Sequence, residues 1–337
     1  MSVLAKDLLA WFEINGRKNL PWQSSPGNIY HIWVSEVMLQ QTQVATVISY
    51  FNTFVARFPT LNDLANADSD EVLALWAGLG YYSRARNLHK SARIILSKFN
   101  GDFPLALTDV LSLPGIGEST AGAILSLGAK QRHPILDGNV KRVLSRYRQI
   151  EGHYSVASVL KTLWQEANLH TPNKACAEYT QAIMDLGATV CTRSKPKCGV
   201  CPISEHCQAN LCQTQDQYPH KKPRKLKPTK ATAMLIFQNE KGGVYLNKRP
   251  DKGIWGGLWS LIECDDSDSD ITKTVKSHNA LARVKKTLPQ FKHSFSHYHL
   301  LIRPVLVSSP GLKHGYENPD KLSKGVPAPV KKILSQL

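Results

Sequence analysis

The chain has 337 residues and a formal net charge of +16. This length is sufficient for two domains that each bury a hydrophobic core, which argues against a single small module. The positive charge attracts polyanions and makes nucleic acid the leading partner, with general surface basicity as the alternative.

The beginning of the chain lacks the features of a targeting segment. Residues 1–18 contain acidic residues and have amphipathic spacing, without a small-residue cleavage site. No run reaches the roughly 18 apolar residues that a membrane span requires. We therefore expect a soluble protein with no membrane partner, located in the cytoplasm with the chromosome.

Residues 1–216 are predicted to form an all-α domain. Apolar residues recur there at intervals of three and four, as at Val34, Val37, Met38 and Ala45, with little strand-like alternation. Glu36 lies among these apolar positions. An exposed helix glutamate is one interpretation. The other is that burial raises its pKa and keeps it protonated, which would make it a proton donor.

A turn between two helices is predicted at residues 113–117, with the sequence LPGIG. Gly115 and Gly117 let backbone N–H groups approach an anion closely, and small residues after them begin a helix. The pattern is typical of a helix–hairpin–helix that binds a DNA phosphate, and an ordinary turn between helices is the alternative.

Asp137 follows Gly117 by 20 residues and precedes a further predicted helix. An aspartate at this position is an expected N-cap, and a carboxylate held by helix-start N–H groups stays ionised. An ionised carboxylate suits a nearby developing positive charge. Glu36 and Asp137 together are the pair expected for cleavage of a glycosidic bond through an oxocarbenium-like transition state.

Four of the seven cysteines fall within residues 191–207, in the spacing C-x6-C-x2-C-x5-C. This grouping favours a metal site in a reducing compartment over a disulfide framework. Zinc ribbons usually have two C-x2-C pairs, whereas this loop has one, so an iron–sulfur cluster of structural role is favoured over zinc. The predicted ligands are Cys191, Cys198, Cys201 and Cys207.

Residues 217–230 contain six cations, three prolines and no acid, and are predicted to be an extended linker. Residues 231–337 are predicted to form an α+β domain. We expect strands at 231–238, 243–249 and 297–307 and a short helix at 281–288. The acidic tract at 265–270 is predicted to be a solvated loop.

Several long motifs occur in one order along the chain: LPW at 20–22, SEVMLQQTQV at 35–44, GLGYYSRARN at 78–87, LPGIG at 113–117, ILDGNVKRV at 135–143 and the cysteine loop. On these motifs the chain resembles the helix–hairpin–helix DNA glycosylases, and within them the adenine glycosylases of the MutY type. The resemblance implies a base-excision repair N-glycosylase with a [4Fe–4S] cluster, acting on duplex DNA that contains A:8-oxoguanine or A:G.

The resemblance also implies roles for single residues. Glu36 would protonate N7 of a flipped adenine, and Asp137 would stabilise the oxocarbenium sugar. Gln41 and Tyr81 match the residues that wedge into the base stack. Leu39 and Thr42 match positions near the orphaned partner base. The positions that line the adenine pocket are matched by Trp22, Gln23, Ser119 and Gln181.

Ser119 occupies the position where the related endonuclease III type carries a lysine that forms a Schiff base with the sugar. Because serine cannot do so, a monofunctional glycosylase is expected.

The second domain resembles the Nudix-like domain of the same family. It contains only three glutamates, too few for the metal-binding box of a Nudix hydrolase, so recognition of 8-oxoguanine by Phe295-Ser296-His297 is expected.

Two other functions stay open at this point. One is an endonuclease III-like glycosylase with lyase activity on oxidised pyrimidines, and the other is a DNA-binding module without catalysis. A monomer is expected, and other repair proteins are possible partners.

Overall fold

The computed structural model describes residues 1–24, 27–222, 226–310, 315–322 and 324–337. It has two compact units. The first consists of Met1–Asn66 and Asn87–Pro223, and the second of Ala67–Arg86 and Arg224–Leu337. The second unit therefore takes a short segment from the N-terminal half of the sequence. Of the linker predicted at 217–230, residues 223–225 lie outside the described residues.

The N-terminal half of the chain is helical, as predicted. Its helices are, in chain order, α1 (Val3–Asn15), α2 (Ile29–Leu39), α3 (Val44–Arg57), α4 (Leu61–Asn66), α5 (Ser69–Leu75), α6 (Ser83–Lys98), α7 (Leu107–Ser112), α8 (Glu118–Ala129), α9 (Gly138–Tyr147), α10 (Ala157–His170), α11 (Cys176–Thr189) and α12 (Gln208–Leu211). Short 3-10 turns occur at Pro21–Gln23, Cys198–Val200, Ser204–His206 and Gln215–Gln217. Helix α5 and the first residues of α6 belong to the second unit.

Side-chain caps begin several of these helices. Ser2 accepts a hydrogen bond from the Ala5 amide at the start of α1, and Asn28 accepts one from the His31 amide at the start of α2. Such caps satisfy amides that have no partner within the helix. In the core of the first unit α2 packs on α8, and both α8 and α9 pack on α11. These contacts bring the residues of the candidate site together.

The second unit is built on a mixed sheet. Its strands are β1 (Thr229–Gln238), β2 (Val244–Tyr245), β3 (Asn247–Lys248), β4 (Trp259–Ser260), β5 (Ile262–Cys264), β6 (Arg283–Thr287), β7 (Phe291–Ser294), β8 (His299–Ser308) and β9 (Tyr316–Glu317). The order β6-β8-β1-β2-β9 has β1 and β8 parallel, while β5 also pairs with β1 and β7 with β8. Strands β3 and β4 form a separate two-stranded ribbon.

Two helices, α13 (Asp268–His278) and α14 (Ala328–Leu334), complete this unit. Met234 and Ile236 of β1 belong to one apolar cluster with Ile333 of α14, whereas Leu235 and Phe237 belong to another that includes α13. Strand β1 is therefore buried on both faces, which explains why its sequence is a continuous apolar run without alternation.

Two local predictions for the second domain are wrong. Residues 281–288 were expected to be helical, but Arg283–Thr287 form the exposed strand β6, antiparallel to β8. Long-range pairing determines this segment, and local pattern cannot reveal it. The acidic tract at 265–270 is only partly a loop. Ser267 caps α13, and two aspartates lie in the first turn of this helix, where their negative charges interact favourably with the helix dipole. Strand β1 begins at Thr229, inside the range predicted as linker.

None of the helices that the structure describes combines the length and the apolar character that a membrane crossing requires.

Candidate active site and cluster loop

A cavity of about 380 Å³ opens in the first unit, with both predicted catalytic carboxylates in its wall. Glu36 reaches it from α2 and Asp137 from the start of α9. Its volume lies in the range of small-molecule sites. Six other residues predicted from the sequence also line the cavity: Trp22, Leu39, Gln41, Thr42, Ser119 and Gln181. Asn139, two residues after Asp137, lines it as well.

Glu36 lies on a helix whose apolar residues are almost all buried, and its own side chain is half-buried where it faces the cavity. Trp33 and Met38 are fully buried, and Val37 nearly so. Burial, and secondly the charge of Asp137, raise the pKa of Glu36 to about 7. A carboxyl group with this pKa is partly protonated at neutral pH, so it can donate a proton to a bound group and later accept one.

Asp137 is the N-cap of α9, as predicted. Its Oδ1 accepts a hydrogen bond from the Val140 amide at 2.7 Å, and its Oδ2 accepts one from Asn139 Nδ2 at 3.2 Å. Burial raises the pKa of Asp137, while these hydrogen bonds and the nearby Arg142 charge lower it only in part. The expectation that capping alone keeps this carboxylate fully ionised is therefore too simple, because enclosure in the cavity acts against it.

The same hydrogen bonds distinguish the two acids. Asp137 accepts hydrogen bonds that favour its charged form, whereas none of the influences acting on the pKa of Glu36 lowers it. Hydrogen bonds to a carboxylate favour its charged form. The two settings therefore favour the protonated form of Glu36 and the charged form of Asp137.

Ser119 lies in the first turn of α8, and its hydroxyl oxygen accepts a hydrogen bond from the Leu136 amide at 2.9 Å. Leu136 directly precedes Asp137, so this contact holds the backbone that leads into the Asp137 carboxylate. No local sequence pattern indicates this contact.

Gln181 is held by a buried carboxylate that sequence reasoning missed. Asp185, only 1% exposed, accepts hydrogen bonds from Gln181 Nε2 at 2.8 Å and from the Arg17 backbone and guanidinium groups at 2.5–2.9 Å. With its amide nitrogen engaged, Gln181 keeps its carbonyl oxygen for a ligand. An aspartate in the apolar run of α11 was the available signal for this site.

Trp22 is buried in the cavity wall and packs edge-on against Phe51, with ring centroids 5.5 Å apart. Gln23 differs from the expectation for a pocket residue. Its side-chain oxygen accepts a hydrogen bond from the Leu20 amide at 3.0 Å, and it is not part of the cavity wall. Gln23 therefore shapes the turn that presents Trp22.

The segment after α2 has an unusual backbone at Gln41, whose φ of +59° lies in the left-handed region. Such a conformation in a non-glycine residue is uncommon and is often found at functional positions. Leu39 and Thr42 lie on either side of it at the cavity. Tyr81 belongs to the second unit, where it is half exposed and also has a positive φ, of 48°.

The predicted hairpin joins α7 to α8. Gly115 has a φ of +80°, and a Cβ atom there would lie 2.8 Å from the Asn87 side chain, so glycine is required. Gly117 is the N-cap of α8 and is exposed, with open space beside it. Exposed N–H groups at this helix start form a site suited to a phosphate.

The four predicted cysteine ligands line one cavity of the first unit. Arg146 Nη1 donates to Cys191 Sγ at 3.3 Å, and Gln215 Nε2 donates to Cys198 Sγ at 3.7 Å. Burial, and to a smaller extent the charges of the neighbouring cysteines, raise the pKa of Cys201 to about 12. Thiolates in this setting need cationic compensation, which iron supplies in an iron–sulfur cluster. No three His, Cys, Asp or Glu side chains of the described ranges are grouped around a single ion position.

Arg142 connects this loop to the start of α9. Its Nε donates to the Cys191 carbonyl at 2.7 Å, and its Nη2 donates to Asn139 Oδ1 at 2.8 Å. Asn139 in turn donates to Asp137. The cysteine loop and the Asp137 carboxylate are therefore attached to the same helix by hydrogen bonds. Arg142 lies within the ILDGNVKRV motif, but no local sequence pattern indicates these contacts.

In the second unit, Ser296 is exposed in the turn between β7 and β8, with its hydroxyl 3.3 Å from His297 Nδ1. Phe295 stacks on Tyr298 with centroids 4.7 Å apart and packs against Trp255 at 5.2 Å. Aromatic contacts thus fix the base of the turn, while Ser296 stays accessible.

Comparison with known proteins identifies the family. The HhH-GPD superfamily of base excision DNA repair proteins matches residues 34–168, the iron–sulfur binding domain of endonuclease III matches residues 191–207, and the NUDIX domain matches residues 232–336. The adenine DNA glycosylase of Buchnera aphidicola subsp. Schizaphis graminum is 39% identical over 344 residues, covering 98% of each chain. The chain belongs to the adenine DNA glycosylase family.

The human adenine DNA glycosylase is 34% identical over 87% of this chain and 64% of its own length. Among solved structures, a thermostable thymine-DNA glycosylase aligns with a TM-score of 0.55 and 24% identity, over 62% of this chain and 96% of its own. That likeness shows the fold alone.

Membership of the adenine DNA glycosylase family confirms several predictions. The protein is a DNA N-glycosylase of base excision repair with a [4Fe–4S] cluster, and it acts on DNA. A helical glycosylase half followed by a Nudix-like domain is likewise confirmed. The alternative of a DNA-binding module without catalysis is thereby wrong.

Proposed function

We propose that this glycosylase removes adenine from A:8-oxoguanine and A:G mispairs, that it acts as a monomer, and that it leaves the DNA strand uncut. The observation that carries this proposal is the single cavity walled by Glu36 and Asp137, two carboxyl groups in opposed hydrogen-bonding settings. Paired acids of this kind suit the cleavage of a glycosidic bond through a cationic sugar.

In the proposed reaction, Glu36 donates its proton to N7 of the flipped adenine. The bond between C1′ and N9 then breaks, and its electron pair leaves with the base. Asp137 stabilises the resulting oxocarbenium sugar as an anion. Glu36, now a carboxylate, accepts a proton from the water that adds to C1′, which restores its starting form.

Recognition of adenine is assigned to the rest of the cavity wall. The carbonyl oxygen of Gln181, oriented by Asp185, accepts a hydrogen bond from the exocyclic amino group of adenine. Guanine has a carbonyl oxygen at the corresponding position, and this oxygen would be repelled by the Gln181 carbonyl oxygen. Trp22 supplies an apolar wall on which the base packs.

Removing adenine from the stack leaves a gap, and base extrusion costs a few kcal/mol. We assign Gln41 and Tyr81 to fill this gap as wedge residues, with Leu39 and Thr42 beside the orphaned partner. The left-handed backbone of Gln41 is consistent with this role, because strained residues cluster at ligand-binding positions. The hairpin glycines Gly115 and Gly117 hold a phosphate of the same strand.

Ser119 supports the monofunctional proposal. A lyase reaction needs an amine that attacks C1′, and no lysine is among the described residues in the cavity wall. Arg17 is the cation present there, and an arginine does not form a Schiff base with a sugar.

The four cysteines, Cys191, Cys198, Cys201 and Cys207, are assigned as the cluster ligands. When bound, the cluster crosslinks their loop and fixes its fold. Arg142 and Arg146 then hold that loop against α9, and the cations Arg193, Lys195 and Lys197 of the loop, all of which have exposed side chains, are available to DNA phosphates.

In the second unit, Ser296 is assigned to the 8-oxoguanine partner. Its hydroxyl is accessible, and the aromatic side chains beneath the turn limit the motion of the backbone. The scarcity of glutamates argues against nucleotide hydrolysis by this unit.

Release of adenine from a labelled A:8-oxoguanine duplex tests the proposal, with an A:T duplex as the matched control. The wild type should release free adenine from the mispair alone and leave an abasic strand that breaks only after alkali treatment. Borohydride should trap no covalent adduct. Failure to release adenine would refute the substrate, and strand breakage together with a trapped adduct would establish an endonuclease III-like lyase instead.

A further inference from the structure

The loop that carries Tyr81 is attached by hydrogen bonds to the residues at the ends of the two helices around it. Trp76, just after α5, donates its indole N–H to the Gly80 carbonyl at 3.2 Å. Arg84 in the first turn of α6 donates to the same carbonyl at 3.1 Å and lies over the Tyr81 ring. The position of Tyr81 therefore follows the position of α5 and the start of α6.

Asp70 binds helix α5 to the sheet domain, by which we mean the described residues of the second unit from 226 to 337. Its Oδ1 lies 2.5 Å from Lys248 Nζ, and its Oδ2 accepts a hydrogen bond from Trp259 Nε1 at 3.0 Å. Lys248 and Trp259 are directly opposed in the β3–β4 ribbon, so both donors come from one pair of hydrogen-bonded strands. Both carboxylate oxygens are thereby used in holding the ribbon.

Helix α5 approaches the sheet domain so closely that two positions opposite Leu73 have no room for a side chain. A Cβ atom at Gly325 would lie 2.9 Å from the backbone carbonyl group of Leu73, and one at Gly257 would lie 3.2 Å from the Leu73 side chain. Glycine permits this approach of two backbones. Leu73 itself is 3% exposed, which shows that α5 is covered on this side.

A second fastening lies on the other side of the Tyr81 loop. Arg86 Nη1 donates to the Gly256 carbonyl at 2.5 Å, and the charge of Asp251 acts on the same guanidinium. The loop is thus bracketed by Asp70 before it and Arg86 after it, and both residues bind the sheet domain.

We propose that Asp70 is a positioning residue for partner-base discrimination, because it holds the Tyr81 loop and the sheet domain that carries Ser296 as one body. This inference rests on the proposed function, in which both elements contact the mispair. A preassembled pair of contacts needs less ordering on binding than two independent ones. Weakening the Asp70 contact should therefore loosen the loop and reduce the preference for 8-oxoguanine over guanine.

The test removes the acceptor and one donor of this contact in separate variants. Asp70→Ala removes the acceptor, and Trp259→Phe removes only the N–H donor while keeping an aromatic ring. Hydrogen–deuterium exchange of the amides at residues 78–84 should become about fivefold faster in Trp259→Phe, as expected for the loss of one hydrogen bond. It should be at least that much faster in Asp70→Ala, which also loses the ion pair with Lys248. The double variant should exchange no faster than Asp70→Ala, because Asp70→Ala already removes the acceptor of the Trp259 hydrogen bond. Amides of β1 and β8 should keep their wild-type rates, which checks that the variants are folded.

Asp68→Ala is the matched control. Asp68 caps the same helix by accepting a hydrogen bond from the Asp70 amide. Its loss should speed exchange in the first turn of α5 and leave residues 78–84 unchanged. Equal acceleration of residues 78–84 in this control would mean that general weakening of α5 is responsible, and would overturn the role of Asp70.

Binding to A:8-oxoguanine and A:G duplexes at one fixed salt concentration supplies the second readout. The ratio of the two affinities should fall about fivefold in Asp70→Ala and Trp259→Phe. Unchanged exchange at 78–84 would overturn the proposal, and so would faster exchange with an unchanged ratio. A wild type with no preference between the duplexes would refute the proposed partner recognition, and with it the positioning role, even if the exchange result showed that the loop is coupled.

Discussion

At the scale of single residues, two carboxyl groups share one enclosed site, and their hydrogen bonds determine which one is charged. Asp137 has the Val140 amide and the Asn139 side chain as donors, and Arg142 contributes a positive charge. The pKa of Glu36 is raised to about 7 by burial and by the Asp137 charge. The same fold thus favours the protonated form of one carboxyl group and the charged form of the other.

The pH dependence of excision follows from this difference. Single-turnover excision should fall about tenfold per pH unit above about 7, because Glu36 must be protonated to donate to the base. On the acidic side the rate should fall when Asp137 takes up a proton, at a pH above the usual range of an aspartate, since burial raises its pKa. A rate that stays constant from pH 6 to pH 9 would contradict the role of Glu36.

Glu36 should also make stability depend on pH. A pKa that is raised in the folded state contributes stability that is fully present below the unfolded value of 4.5 and is lost as the pH rises through about 7. Glu36→Gln should therefore be more stable than the wild type at pH 8, by about 1–3 kcal/mol, and show a smaller difference at pH 5. Thermal unfolding at the two pH values measures this.

At the scale of elements, the sequence predicted what local pattern determines. The α2 helix around Glu36, the cap at Asp137 and the buried strand β1 were all expected, because periodicity and capping chemistry act within a few residues. Strand β6 was not expected, because its partner β8 is distant in sequence and its own residues are exposed and basic. Ser119 binds Leu136 and Asp185 binds Arg17, both of them distant in sequence, and for that reason these two hydrogen bonds could not be predicted.

The turn between β7 and β8 gives a prediction at this scale. Ser296→Ala should lower the affinity for A:8-oxoguanine by about fivefold and leave the affinity for A:G nearly unchanged, since one neutral hydrogen bond contributes on the order of 1 kcal/mol. Ser294→Ala is a suitable control, because that hydroxyl, at the end of β7 beside the same turn, lies 2.9 Å from His299 Nδ1 at the start of β8. Equal losses on both duplexes in Ser296→Ala would contradict direct readout of the lesion.

At the scale of the whole molecule, the compact units do not follow the order of the sequence. The predicted domains are continuous, from 1–216 and 231–337, whereas the second unit also includes Ala67–Arg86. Removing the sheet domain would therefore expose Leu73 and cut the contacts of Asp70 and Arg86. A truncated protein would lose the support of the Tyr81 loop together with Ser296, so point variants separate the two effects better than truncation.

The central claim is that Glu36 and Asp137 together remove adenine. Single-turnover excision on an A:8-oxoguanine duplex tests it most directly, with Glu36→Gln and Asp137→Asn compared with the exposed control Glu178→Gln. Asparagine and glutamine keep the shape of each side chain, so both site variants should bind the duplex with nearly wild-type affinity. Their excision rates should be at least about a hundredfold lower, while the control keeps the wild-type rate. Near-normal excision by either site variant would contradict the assignment of this pair.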